Sequence, residues 1–207
     1  MDLMATRTFI KQISICVLLF IAAFYDTHLH HTFTEPVNQW ILQNLIAEHS
    51  QQSVWQSIYY TLMHSITVLG SKHFFGIVLL FIMGYLIYYR NWALVFYSLI
   101  AVIIAMGIAF ALKHAIDSPR PLFPLENDSF PSGHTTRATL WCGIILLVVQ
   151  LKNVILSCYI RWVLVAIPLL VGFSRLALGK HWLSDVVAAY GICVGVLLMV
   201  CFMANRN

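Results

Sequence analysis

Long apolar stretches, separated by short polar segments, run along almost the whole chain. A transmembrane helix takes about 20 predominantly apolar residues, and six stretches meet or nearly meet that length. They lie at residues 9–25, 73–89, 92–112, 135–151, 160–177 and 182–203. The pattern therefore predicts an all-α polytopic membrane protein, with one membrane-embedded domain over residues 1–207 built as a bundle of six transmembrane helices.

The first stretch has an alternative interpretation, because Arg7 and Lys11 precede it as basic residues precede the apolar part of a secretory signal. A cleaved signal would end in a small-x-small sequence. No clear site of this kind follows Phe24–Asp26, so a retained span is favoured.

Two further segments, both after the first span, are amphipathic. In 54–69, apolar residues recur at helical spacing from Val54 to Ile66, but polar residues interrupt the run. In 37–49, four apolar residues share one helical face. Such helices lie at the membrane surface or pack on a bundle, so the sequence predicts short interfacial helices in the first outer loop.

The distribution of charge predicts the orientation. With six spans, the inside face holds these charged residues: Arg7, Lys11, Arg90, Lys152, Arg161, Arg206 and the acid Asp2. The other seven acids lie outside. Because cytoplasmic loops are rich in Lys and Arg, both termini are expected on the cytoplasmic side of the cytoplasmic (inner) membrane. If 54–69 were counted as a span, the predicted orientation of every later span would be reversed. The distribution of charge would then no longer agree with the rule for cytoplasmic loops.

Composition excludes several classes of protein. With 60% apolar and 10% charged residues, the chain has no room for a large soluble domain, and it carries no nucleic-acid-binding pattern. Four of the five cysteines lie in apolar spans and Cys158 lies in a cytoplasmic connection, which indicates packing rather than a disulfide framework. His28, His30 and His31 form either a surface loop or a metal site; the surface loop is favoured because no acid or cysteine framework surrounds them.

Three polar clusters interrupt the hydrocarbon near span ends. They are Lys113 with Arg120-Pro121, then Pro131-Ser132-Gly133-His134, then Ser174-Arg175 with His181 and Asp185. A bilayer tolerates polar groups only where they are satisfied or functional. Two spans separate the second cluster from the third, so all three are expected at the outer face. Their three cations predict a site for an oxyanion.

The third cluster suggests base or nucleophile chemistry. His181 and Asp185 are four residues apart and share a helical face. A carboxylate that accepts the proton of one ring nitrogen leaves the other nitrogen as a base or nucleophile, although a purely structural hydrogen bond is the alternative. Only thirteen residues separate Arg161 from Arg175, about 20 Å of helix against a core of roughly 30 Å. Arg175 is therefore expected near headgroup depth.

The second cluster stands where the fourth span begins. Ser132 is a candidate helix cap, Gly133 allows close backbone approach, and free N–H groups at a helix start receive phosphate well. An ordinary capped helix is the alternative. His134 adds a proton donor at this position. Arg137, one turn further in, either reaches the same anion or extends to the lipid interface.

The spacings K-x6-R-P, P-S-G-H and S-R-x5-H-x3-D are met at Lys113–Pro121, Pro131–His134 and Ser174–Asp185. Together they resemble the three-part signature of the type 2 phosphatidic acid phosphatase superfamily, which includes membrane lipid phosphatases and soluble vanadium-dependent haloperoxidases. The resemblance implies phosphoryl transfer in two steps without metal or other cofactor.

In that scheme His181 is the nucleophile and forms a phosphohistidine, Asp185 orients it, and His134 is the acid and then the base. The phosphate would be bound by Lys113, Arg120, Ser132, Gly133 and Arg175, with Arg137 as a further substrate contact.

Function follows as an expectation. The resemblance implies hydrolysis of the terminal phosphate of a membrane lipid at the outer face, with undecaprenyl diphosphate as the first candidate and broad activity. Phosphatidylglycerophosphate, phosphatidic acid and lipid A phosphate are further candidates. A lipid-to-lipid phosphotransferase with the same site and a non-catalytic lipid-binding or transport protein are the alternatives. A haloperoxidase is disfavoured, because a membrane frame gives halide oxidation no benefit.

Overall fold

A computed structural model describes residues 3–46, 53–123, 125, 129–151 and 158–204. These residues form eight helices, and the described part of the chain contains no strand. The helices are α1 (Leu3–His28), α2 (Glu35–Asn44), α3 (Val54–Val68), α4 (Lys72–Tyr88), α5 (Trp92–Ala115), α6 (Gly133–Leu151), α7 (Cys158–Ala177) and α8 (Leu183–Ala204). The all-α prediction is confirmed. Asp2, Lys152 and Arg206, which are predicted on the inside face, lie outside the described residues.

Several of these helices can cross a membrane. Four are long and apolar enough on their own: α1 from Arg7 onward, α5, α7 and α8. Helices α3 and α4 meet the same requirement together, with a bend of 41° between them, and α6 contributes a shorter apolar helix, Gly133–Val149. The chain is therefore a multi-pass membrane protein, whereas the count of six spans stays a prediction.

Helix α8 lies at the centre of the bundle, in contact with α1, α5 and α6. Small residues make this possible. A Cβ atom at Gly191 would lie 3.0 Å from the Cys16 carbonyl oxygen of α1, so the two backbones are almost in contact. On another side, Ala188 and Ala189 are fully buried. The start of α8, which carries the third polar cluster, is thereby fixed against three neighbours.

Helices α2 and α3 cover the end of the bundle at which α8 begins. Ile41 of α2 packs on Leu176 and Val186, which belong to α7 and α8. Helix α3 packs on α7 and the residues after it, and its opposite face exposes large apolar side chains such as Trp55 and Ile58. Helices therefore form in both segments, although α2 ends at Asn44 and residues 47–49 of the predicted segment lie outside the described residues. The place of both helices at the membrane interface stays a prediction.

The turn between α3 and α4 is pressed against the start of α6. Trp141 Nε1–H donates a 3.0 Å hydrogen bond to the Leu69 carbonyl oxygen. A Cβ atom at Gly70 would lie 2.5 Å from the carbonyl oxygen of His134, so only glycine fits there without displacing the backbone. This contact links a distant segment to the second polar cluster.

We expect Gly70→Ala to destabilise the protein by about 1–3 kcal/mol, because the added methyl group overpacks a backbone contact. The measurement is the thermal unfolding midpoint of purified protein in detergent. Gly76→Ala is the matched control: a Cβ atom at Gly76 meets nothing within 4 Å, and alanine favours the helix. Equal midpoints for Gly70→Ala and the wild type would contradict the prediction.

Candidate active site

The start of α8 presents the His181–Asp185 pair. His181 Nδ1 lies 3.4 Å from Asp185 Oδ2, and the two residues are only 4% and 0% exposed. The same carboxylate oxygen accepts a 2.8 Å hydrogen bond from the backbone N–H of Trp182. That bond is one half of a capping box, in which an acidic residue in the first turn satisfies the backbone at the helix start. Asp185 therefore holds the helix start and the imidazole together.

A third partner of this carboxylate comes from the connection before α6. The Ser129 hydroxyl donates to Asp185 Oδ2 and lies 3.4 Å from His181 Nδ1. Its backbone N–H donates a 3.0 Å hydrogen bond to the Ser118 carbonyl oxygen. The sequence analysis missed Ser129, because no spacing relates a single serine to a carboxylate 56 positions later.

The environment of His181 decides its protonation state. Burial lowers its pKa to about 4, although the hydrogen bond and the negative charge of Asp185 act in the opposite direction. The ring is therefore neutral at pH 7. Because the carboxylate lies at Nδ1, we assign the single ring proton to that nitrogen. The Nε2 lone pair is then available as a base or nucleophile.

Hydrogen bonds bring the three sequence clusters together at one end of the bundle. The Ser132 N–H donates to the Asp185 carbonyl oxygen at 3.1 Å, which ties the second cluster to the third. The Trp182 ring N–H donates to the Pro119 carbonyl oxygen at 2.8 Å, which ties the third cluster to the connection that carries Arg120. These two bonds join three segments: the connection after α5, the start of α6 and the start of α8.

Helix α6 begins at Gly133, beside a guanidinium group. A Cβ atom at Gly133 would lie 3.3 Å from Arg137 Nη1, and Arg137 Nε–H donates to the Gly70 carbonyl oxygen at 2.7 Å. The Ser132 hydroxyl is fully buried and pairs with the Thr135 hydroxyl at 2.9 Å. Free N–H groups of the first turn, the helix dipole and the Arg137 charge together favour an anion here.

Arg175, in the last turn of α7, is buried and held from α3. Its Nη1 donates to Thr67 Oγ1 at 3.2 Å, and the Ser174 hydroxyl donates to the same atom at 3.2 Å. Among the residues that the structure describes, none accepts a hydrogen bond from Arg175 Nε. A buried guanidinium N–H in this state is a donor for an anion. Thr67 was missed because its helix was assigned only to the interface.

Positive charge converges on the two histidines. The cations whose charges act there are Lys113, Arg120, Arg137 and Arg175. The three arginines act on the half-buried His134, and Lys113 and Arg175 act on His181. Such a concentration favours an oxyanion. Within the described ranges, no group of three or more His, Cys, Asp or Glu side chains is arranged to hold a metal ion.

The histidine loop after α1 differs from its prediction at one position. His28 and His30 are exposed, as expected of a surface loop, but His31 is only 6% exposed. Its ring is stacked on Trp182, with the ring centroids 4.6 Å apart. The surface-loop prediction is therefore wrong for His31, because α8 supplies a stacking partner that the local sequence does not show.

We expect Asp185→Asn to lower the pKa of His181 further, because the amide removes the negative charge that opposes the effect of burial. The measurement is an NMR titration of histidine-labelled protein in detergent, with the His181 signal assigned by its loss in His181→Gln. Glu35→Gln, which removes an acid that does not contact His181, serves as the control. An unchanged or higher pKa in Asp185→Asn would refute this account of the pair.

Two solved structures have a similar fold. The crystal structure of the first transmembrane PAP2 type phosphatidylglycerolphosphate phosphatase from Bacillus subtilis aligns with a TM-score of 0.76 and 21% identity, over 94% of this chain and 96% of that one. Aquifex aeolicus LpxE aligns with a TM-score of 0.56 and 19% identity, over 83% of this chain and 94% of that one. At these identities the likeness shows a shared fold.

The sequence also matches a family model. The model of the PAP2 superfamily covers residues 92–207, which include all three polar clusters and four of the eight helices. The match extends over more than half of the chain. The chain therefore belongs to the PAP2 superfamily, the type 2 phosphatidic acid phosphatases.

Proposed function

We propose that the protein hydrolyses the terminal phosphate of a membrane lipid phosphate or diphosphate through a phosphohistidine. The observation that carries the proposal is the His181–Asp185–Ser129 arrangement, in which Nδ1 is occupied and Nε2 is left available, beside a group of cations. An anion-binding protein needs the cations but has no need of an oriented, neutral histidine. The non-catalytic alternative is therefore disfavoured.

In the first step, the Nε2 lone pair of His181 attacks phosphorus, and the bond from phosphorus to the lipid oxygen breaks. The arginine charges alone disfavour a protonated His134, but the negative charge of the bound phosphate counteracts them and favours that form. His134 then gives its proton to the lipid oxygen, so the lipid leaves as a neutral alcohol or as a protonated monophosphate. Positive charge develops on the His181 ring as the P–N bond forms. The Asp185 carboxylate, already at Nδ1, stabilises that charge without having to move.

In the second step, His134, now neutral, accepts a proton from water while the water oxygen attacks phosphorus. The P–N bond breaks, its electron pair returns to Nε2, and inorganic phosphate is released. His181 is again neutral and His134 is again protonated, so the cycle closes. Turnover therefore requires a neutral His181 and a protonated His134 in the same molecule.

The phosphoryl oxygens are bound by the cations and by the start of α6. Lys113, Arg120 and Arg175 supply charge, and the Gly133 N–H supplies a backbone donor, with Ser132 beside it. Preorganised donors of this kind usually make the largest single contribution to lowering the activation barrier, because they need no rearrangement as charge develops. They take the role that a metal ion has in other phosphatases, so we propose a metal-independent reaction. Arg137 is proposed as a further contact to the substrate.

The membrane setting favours a lipid substrate at the outer face. The cations lie near the ends of apolar helices, so a phosphate on a lipid can approach from within the bilayer. Undecaprenyl diphosphate is our first candidate. Phosphatidylglycerophosphate, phosphatidic acid and lipid A phosphate are the others, and the similar Bacillus subtilis structure is named as a phosphatidylglycerolphosphate phosphatase. Both termini are proposed to be cytoplasmic, in the inner membrane.

The test is a phosphate-release assay of purified protein in detergent with EDTA, on polyprenyl diphosphate, phosphatidic acid, phosphatidylglycerophosphate and lipid A. We expect release to persist in EDTA and His181→Gln to reduce it by about a thousandfold or more. His73→Gln, which changes an exposed histidine, is the control. Loss of all release in EDTA would contradict the metal-free reaction. Strict dependence on an acceptor lipid would favour the phosphotransferase alternative.

Ser129→Ala is expected to lower kcat by about 10- to 100-fold, because Asp185 loses one of three donors and the imidazole loses part of its orientation. Phosphate release and the unfolding midpoint are measured together. Ser98→Ala is a matched control: Ser98 is equally buried, and none of the described residues bonds its hydroxyl. If both serine variants turned over at the wild-type rate, Ser129 would have no part in the reaction.

A further inference from the structure

The corner between α1 and α2 holds the first turn of α8 through side chains that no sequence motif contains. Asn38 Oδ1 accepts a 3.2 Å hydrogen bond from the Leu183 N–H, one of the free donors at the helix start. The Ser184 hydroxyl is contacted by Thr27 Oγ1 at 3.2 Å and by His31 Nδ1 at 2.9 Å. These contacts come from the end of α1, the loop after it and α2.

His31 contacts this turn at two residues. Its ring is stacked on Trp182 with a centroid distance of 4.6 Å and an angle of 29°, while Nδ1 faces the Ser184 hydroxyl. Trp182 follows His181, and Ser184 precedes Asp185. One side chain therefore contacts the neighbours of both members of the pair.

The backbone supports a specific role for this residue. His31 has φ +64°, in the left-handed region that is unfavourable for a histidine. The turn is stabilised by Asp26, whose Oδ1 accepts the N–H groups of Phe33 at 2.8 Å and Thr34 at 3.0 Å. The exposed His30 beside it has φ +53°, so this backbone conformation belongs to the turn as a whole, and the turn fixes the position of the His31 ring.

The charge state of His31 fits a role in orientation. Burial lowers its pKa, against the opposing charges of Asp185, Asp26 and Glu35, and the neighbouring His30 lowers it further. The ring is therefore neutral at pH 7 and acts as a hydrogen-bond and stacking partner.

We propose that His31 is a positioning residue for the phosphoryl transfer described above. Through Ser184 and Trp182 it fixes the rotation of the first turn of α8, and so the direction of the His181 Nε2 lone pair toward phosphorus. The inference rests on the proposed function. A displacement of about 1 Å at a nucleophile can cost a hundredfold in rate, so a loosened turn lowers kcat while the substrate still binds.

The experiment compares variants from both sides of the contact. Ser184→Ala removes the hydroxyl from a helical position where alanine is favourable. His31→Gly removes the ring and tolerates the left-handed φ, whereas His31→Asn tolerates that φ and places a polar atom near the position of Nδ1. His30→Asn, the same change at an exposed residue with φ +53°, is the control.

The readouts are kcat and KM for phosphate release, the unfolding midpoint, and the affinity for orthovanadate, which adopts the five-coordinate geometry of phosphoryl transfer. We expect Ser184→Ala and His31→Gly to lower kcat and weaken orthovanadate binding by about tenfold, with KM nearly unchanged. His31→Asn should recover most of the loss. Because His31 and Ser184 are proposed to act through one contact, the double variant His31→Gly/Ser184→Ala should have a kcat no lower than that of His31→Gly alone.

Three outcomes overturn the inference. One is a wild-type kcat in folded Ser184→Ala and His31→Gly. A second is a double variant in which the two losses multiply, since the residues would then act separately. A third is a fall in the unfolding midpoint with kcat unchanged at permissive temperature, which identifies a purely structural contact. A different result, in which the wild-type protein releases phosphate from none of the lipids tested, would count against the proposed function itself.

Discussion

The carboxylate of Asp185 is the interaction on which the site depends. One oxygen atom, Oδ2, faces a backbone N–H from the start of its own helix, the Ser129 hydroxyl and the His181 ring. A fully buried carboxylate is costly unless such donors compensate for lost hydration. Because the donors come from the connection before α6 and from the start of α8, the carboxylate holds these two segments together. The chemistry and the local packing have the same cause.

The sequence predicts the helices well because their signal is local. The apolar stretches at 73–89, 92–112 and 160–177 lie within a few residues of α4, α5 and α7, since the helical backbone must satisfy its own hydrogen bonds in lipid. The three polar clusters are also visible in the sequence, because charge in an apolar chain is conspicuous. Span parity then places them at one end without any knowledge of tertiary contacts.

The residues that the sequence does not reveal act across long separations. Thr67 and Gly70 contact α7 and α6 through a turn of an otherwise ordinary amphipathic segment. His31 lies in a polar loop, where burial depends on which helix packs beside it. Hydrophobic periodicity reports which face of a helix is covered, but it does not report what covers a loop. The support of the site is therefore the part that only the structure shows.

The four cations of the site come from four different parts of the chain: Lys113 of α5, Arg120 of the following connection, Arg137 of α6 and Arg175 of α7. Arg120 and Arg137 act on Arg175 as like charges, and this repulsion opposes the approach of the elements that carry them. In the proposed reaction, a phosphate group bound between them would attract all four cations and so join helices that have no covalent link there. In the proposed reaction the bound substrate thus links these helices, so the bundle is expected to tighten when the substrate binds and to loosen when inorganic phosphate is released.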